Sequence, residues 1–201
     1  MSESRFADVR AAAVVAFHDH ATGTAGWRSR AAAAAGDVWT WIEANHRCNT
    51  SLWDEEDLAR RRDVADSEIA ANKRAIDRYN QQRNDAVEKI DEALLARLHD
   101  VRPAAGAWHS SETAGAMIDR LSILSLKIHH MGLAARDSAA HAEHRRTCEG
   151  KRERLTLQRD DLARCLDALL THAEAGTAFW RIYRQFKMYN DETLNPYLRK
   201  R

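Results

Sequence analysis

Proline is almost missing from this chain of 201 residues: only Pro103 and Pro196 occur, and the first hundred residues have none. Glycine is sparse too, at eight residues. Few positions can therefore break a helix. β-Branched residues rarely cluster or alternate with polar ones, which excludes an ordinary strand-rich fold. The three cysteines, Cys48, Cys148 and Cys165, are an odd, scattered set without a CxxC pair. That excludes a disulfide framework and points to a reducing cytoplasm. No apolar run reaches the length of a membrane span, and the opening MSESRFADVR lacks the apolar core of a leader, so no membrane partner is expected. Neither sign of charge dominates, with 31 Lys and Arg against 30 Asp and Glu. That balance argues against nucleic acid as a partner. A P-loop, a GxGxxG fingerprint and a GxSxG elbow are absent, which removes most support for nucleophilic hydrolases and Rossmann oxidoreductases.

What is present is alanine-rich sequence with helical periodicity, so the expected class is all-α. A first helix is expected over 3–20, broken by Ala21–Gly26. Asp37 is a good N-cap for a second helix reaching Arg62. A turn at 63–66 leads to a third helix ending near Asp100, about 50 Å long at 1.5 Å per residue. VRPAAGAWHS is a linker, after which Ser110 or Ser111 caps a fourth helix that runs to Arg136. A charge-dense fifth helix is expected over 138–175, interrupted near Gly150 and stopped by Gly176. A last helix is expected to carry FWRIYRQFKMYN, before Asn195-Pro196 forces an extended exit. The expected architecture is one compact bundle of five or six helices with long central ones. Residues 1–36 form its N-terminal helix and loop, 37–175 its core, and 176–201 its C-terminal helix and tail.

The third helix carries an interrupted seam. Ile69, Lys73, Ile76, Asn80, Arg83, Val87, Ile90 and Leu94 recur at steps of three and four, so they share one face. Lys73, Asn80 and Arg83 stand where aliphatic residues belong, and a buried polar group is costly unless paired. The second helix repeats the pattern with Val38, Ile42, Asn45, Asn49, Leu52 and Glu56. Folding the two back about Ala65 brings Asn49 level with Asn80 and Arg83, and Glu56 level with Lys73. A Glu56–Lys73 ion pair and an Asn49-centred polar layer are therefore expected. Such a layer is either a ligand site or a satisfied network that fixes helix register. The fourth helix is apolar around most of its circumference, so Asp119 and Arg120 are expected to pair with charges of the third. Its His129 and His130 read more readily as core histidines than as bases or ligands. Asp85 and Glu88 share a helix face, and with Glu56 they would be the carboxylates of a magnesium site. His141, His144 and Cys148 have ligand chemistry but no evident fourth partner.

Four ordered blocks, NTSLWDEEDLAR, KRAIDRYNQQRNDAVEKIDE, ETAGAMIDRLSILSLKIHHM and QFKMYNDETLNPYL, together resemble the bacterial family named domain of unknown function 4254. The resemblance covers about Asn45 to Leu198 and implies a compact all-helical protein. It brings no activity with it. The recurring residues it implies are Asn49, Trp53, Glu56, Asp57, Arg60, Arg83, Asn84, Asp85, Glu88, Asp119, Arg120, Lys127, Lys187, Tyr189 and Asn190.

The expected function is a small-molecule enzyme or binding protein acting on a polar anionic metabolite. Glu56, Asp85 and Asp119 are the candidate general acids and bases. Asn49, Trp53, Arg60, Lys73, Asn80, Arg83, Asn84, Arg120, Lys127, Lys187, Tyr189 and Asn190 are the candidate ligand contacts, guanidinium forks being suited to phosphate or carboxylate. No metal or cofactor is assigned, and Mg²⁺ enters only in a rival reading as a nucleotide pyrophosphohydrolase. A second rival is a non-catalytic helical partner whose Trp27, Trp108 and Trp180 would form an exposed patch. Homo-oligomerisation is left open.

Overall fold

Asp37 begins the second helix as its sequence predicts: its carboxylate accepts the Val38 N–H at 2.5 Å. In the computed structural model, residues 4–30, 37–185, 188 and 191–199 are described. Their helices are α1 (Ala11–Gly23), α2 (Val38–Leu58), α3 (Asp66–Ala96), α4 (Ala114–Arg136) and α5 (Ala142–Glu174). Short 3₁₀ turns occupy Ala7–Val9 and Trp27–Ser29, and a two-residue strand β1 (Trp108–His109) pairs in parallel with β2 (Ala178–Phe179). The all-α class is as expected. No helix among the described residues is long and apolar enough to cross a membrane.

The fold is two antiparallel helix hairpins, α2 with α3 and α4 with α5, joined through α4, which also packs on α1. Touching all four other helices gives α4 its nearly all-round apolar surface: Met117, Ile118, Leu121, Leu124 and Leu126 are buried. Met117, Ile118, Leu121 and Leu124 meet Phe6, Val14, Ile42, Ile90, Leu94, Leu166, Leu169 and Leu170 in one core. The tip of the α2–α3 hairpin is different. α2 has no buried residue after Leu52, and α3 has none before Ala75.

Several helix ends differ from expectation. The N-terminal helix starts at Ala11, because Asp167 of α5 caps the Ala11 N–H at 2.8 Å and Arg10 takes an extended conformation. α2 stops at Leu58 rather than Arg62. Thr113, not Ser110 or Ser111, caps α4 by accepting the Ala116 N–H at 3.1 Å. Ser110 instead donates to the Glu112 carbonyl at 2.7 Å. α5 runs through Gly150 without a break. The expected last helix does not form over its described part. Gly176, at φ 70°, turns the chain, and Ser110 N–H bonds the Phe179 carbonyl at 2.9 Å, drawing 178–179 into the strand pair. Trp180 is then buried, as is Trp27, so only Trp108 of the three expected surface indoles is exposed.

α3 and α4 approach closely at Gly115. A Cβ there would stand 2.6 Å from the Val87 carbonyl oxygen and 2.8 Å from an Asp91 oxygen. Gly115→Ala should therefore cost about 1–3 kcal/mol through overpacking. Urea denaturation at pH 7.5 measures it, and a midpoint equal to that of the unsubstituted protein would show that the two helices separate freely.

Candidate functional site

Asp119 of α4 faces α2, and two asparagines one turn apart converge on it. Asn45 Nδ2 donates to Asp119 Oδ1 at 2.8 Å and Asn49 Nδ2 donates to the same oxygen at 2.9 Å. Asn49 Nδ2 also lies 3.0 Å from Ser122 Oγ. Ser122 in turn shares a 2.8 Å hydrogen bond with His46 Nδ1, and Thr22 of α1 meets His46 Nε2 at 3.2 Å. His46 stacks on His18 with ring centres 4.8 Å apart. The expected Asn49 layer thus exists, but its main partners are on α4 rather than on α3.

Burial keeps both imidazoles uncharged. Desolvation, then the charge of Arg47, pushes His46 down to about 4. His18, with both ring nitrogens unpartnered, is pushed down by burial first and by His46 and Arg159 after it. Cys48 is pushed the other way by burial, up to about 11, so it is not a reactive thiol at neutral pH.

Arg83 reaches this layer from α3. Its Nε lies 4.0 Å from Asp119 Oδ1, too far for a hydrogen bond, and that buried Nε has no other partner. The carboxylate therefore orients the guanidinium through charge, without a hydrogen bond from its Nε. In front of Arg83 lies a cavity of about 340 Å³ between α2, α3 and α4. Its walls are Asn49, Leu52, Trp53, Glu56, Asp57 and Arg60 from the α2 side, Asn80 and Arg83 from α3, and Ile123, Leu126 and Lys127 from α4. The spacing explains the assembly: residues 49, 53 and 56 share one face of α2, Arg60 follows in the turn just beyond it, and 80 and 83 share one face of α3. Arg60 pairs with Glu56 at 2.8 Å. Lys127 forms no ion pair among the described residues.

Seven expected site residues therefore meet in one place: Asn49, Trp53, Glu56, Arg60, Asn80, Arg83 and Lys127. Others do not join them. Asp119 stands behind the wall as a positioning group rather than in the cavity. Lys73 is exposed and pairs with Asp77 at 2.6 Å, so the expected Glu56–Lys73 pair gives way to bonds within each helix. Among the described residues the hairpin tip buries no side chain of either helix, so water competes for that pair. Arg120 is exposed and bonds Glu112 of its own connection instead of α3. Asp85 accepts from Gln81 at 2.7 Å on the opposite side of α3, where it borders a groove with Trp41 and Tyr79. Asn84 donates to Gln185 at 2.9 Å. Lys187, Tyr189 and Asn190 lie outside the described residues.

The three carboxylates of the magnesium reading point to three different partners: Glu56 to Arg60, Asp85 to Gln81, and Glu88 to Arg184. His144 and Cys148 touch at 3.4 Å. Among the described residues no group of three His, Cys, Asp or Glu side chains could hold a metal ion.

A family model, Protein of unknown function (DUF4254), matches residues 39–182. The chain belongs to that family. The match includes α3, α4 and all of α2 but its first residue, and with them the whole cavity wall. No curated protein and no solved structure matches the chain.

Sequence reasoning passed over His18 and His46, because a histidine on an apolar face gives no sign of its partners. It also passed over Asp91, whose carboxyl is pushed up to about 6, chiefly by burial. Asp91 accepts the Gly115 N–H at 2.8 Å at the N-terminus of α4, and the Trp180 indole lies close by without hydrogen-bonding geometry. Its spacing from Asp85 and Glu88 was visible, but not its burial.

These groups set a pH response. The unfolded chain protonates His18 and His46 more readily than the folded one does, so their stabilising effect is complete above about 6.5. It is lost as pH falls from 6.5 toward 4, and the His46 displacement corresponds to about 3 kcal/mol. Asp91 acts oppositely, since its folded form binds a proton first as pH falls through 6. With two imidazoles against one carboxyl, stability should fall by about 1 kcal/mol per unit between pH 6 and 5. Urea midpoints at pH 7, 6 and 5 measure this. His46→Gln should flatten the slope and Asp91→Asn should steepen it; unchanged slopes in both variants would refute the assignment.

Proposed function

We propose that this protein is a small-molecule enzyme or binding protein whose ligand is a polar anionic metabolite held between α2, α3 and α4. The observation that carries this reading is Arg83: a guanidinium in the cavity wall, oriented by Asp119 yet without a hydrogen bond from its Nε. A buried N–H left unpaired is costly. An anion in the cavity that draws the guanidinium into a bidentate contact offsets that cost. Lys127 adds a second cation, and Arg60 a third at the Glu56 rim. The Asn49 and Asn80 amides can meet hydroxyl or carbonyl groups of the same molecule. Glu56 and Asp57 are the carboxylates in the wall, so proton transfer to or from the bound ligand falls to them rather than to Asp85 or Asp119. Three free cysteines support a reducing, cytoplasmic setting for this role.

Titration calorimetry with inorganic phosphate, pyrophosphate and citrate tests the reading at low ionic strength. At least one anion should bind, more weakly as salt is raised. Arg83→Met should weaken binding about 10-fold or more, the loss of one charge-assisted hydrogen bond being about 1.5–3 kcal/mol. Arg120→Met, in an exposed pair outside the cavity, should change it little. Binding indifferent to Arg83, or no binding of any of the three anions, removes the proposal.

A further inference from the structure

The cavity does not end at Trp53 and Lys127. Both side chains also border a second cavity of about 540 Å³ between α4 and α5. Its walls are mainly apolar, with Met131, Ala134 and Leu155, while Lys151 and Arg154 stand on its rim. Neither rim cation forms an ion pair among the described residues. Two aromatic side chains line it: the Trp53 indole and the His130 imidazole stack face to face with centres 4.2 Å apart and planes 8° from parallel, so a further planar ring can extend the stack on an outer face of the pair. Burial, with His129 beside it, holds His130 below its usual range, so the stack is uncharged and apolar at neutral pH. Gln158 adds one side-chain amide, a donor and an acceptor together.

A cationic cavity and an apolar, ring-lined one that share two residues fit a single ligand with an anionic end and a planar heteroaromatic end. We propose that the two cavities together form a site for a nucleoside diphosphate, with the diphosphate at Arg83 and Lys127 and the base in the second cavity by Trp53 and His130. This rests on the anionic-ligand reading above and names its substrate class. Stacking holds a base of any kind by its π face, and the Gln158 amide can meet its polar edge. An aliphatic chain would fill the apolar space but leave the stacked rings and the amide unused. Lys151 and Arg154 add positive field around the second cavity, which favours an anionic ligand over a neutral one. Each volume falls within the range that encloses metabolite-sized ligands.

The experiment is titration calorimetry of the full chain, in EDTA, with sodium pyrophosphate and with ADP, GDP, CDP and UDP. Pyrophosphate probes the first cavity alone. At least one nucleoside diphosphate should bind 10-fold or more tightly than pyrophosphate. Ala134→Phe, which fills the second cavity, should bring that nucleotide down to the affinity of pyrophosphate. Gln158→Leu, at an exposed position that the fold tolerates, should weaken the nucleotide several-fold and narrow the differences among bases. If pyrophosphate binds and no nucleoside diphosphate binds more tightly, this inference is overturned and the anion reading stands. A tighter nucleotide whose advantage survives both substitutions also overturns it. If neither pyrophosphate nor any nucleotide binds, this inference is overturned, and the anion reading falls with it only if phosphate and citrate also fail to bind.

Discussion

The pairing of one partly buried carboxylate on a nearly all-apolar helix governs this structure. Asp119 sits on α4, which every other helix touches, and a carboxylate in that position needs donors. Asn45 and Asn49 supply them from one face of α2, both to the same oxygen. Two donors one turn apart admit a single register of α2 against α4. A purely aliphatic contact would tolerate sliding by a turn, whereas this one would strand a charge. Everything along that side of α2 follows from the fixed register. Leu52, Trp53 and Glu56 come opposite Ile123, Leu126 and Lys127, and a cavity is left where large polar side chains replace interlocking aliphatic ones.

The same carboxylate has a second effect on α3. Arg83 approaches it closely enough to pair with its charge, at 4.0 Å, but not closely enough to hydrogen-bond through its Nε. The structure thus contains two classes of surface cation. Arg60, Arg120 and Arg184 are engaged by neighbouring carboxylates. Lys127, Lys151 and Arg154 border cavities and form no ion pair among the described residues, and Arg83 holds only the long contact to Asp119. Net charge near zero conceals this separation, because the average over 61 charged side chains says nothing about where each finds its partner.

Much of the framework was legible. The Asp37 cap, the long third helix starting at Asp66, and the centrality of the fourth helix each follow from local pattern. So does the presence of a polar layer around Asn49, since an amide on an apolar stripe must find something to bond. The misreadings have one common cause. Lys73 lies on the same seam as Arg83, yet one is at an open hairpin tip and the other beneath α4. Asp85 is two residues from Arg83 and points to the other side of α3. Residues 178–180 have helical periodicity but are captured by β1 once Gly176 turns the chain toward it.

The sequence alone determined which faces of each helix carry polar groups, because the 3.6-residue period is a local property of the backbone. It determined that asparagine, arginine and carboxylate would recur on facing seams. Tertiary structure decided which of those groups are buried, which share a cavity wall and which remain unpaired. Those outcomes depend on where a third helix happens to cover a hairpin, and on distances between residues some 70 positions apart, as from Asn49 to Asp119. Periodicity cannot encode such distances. The helices were written residue by residue, but the site exists only where three of them meet.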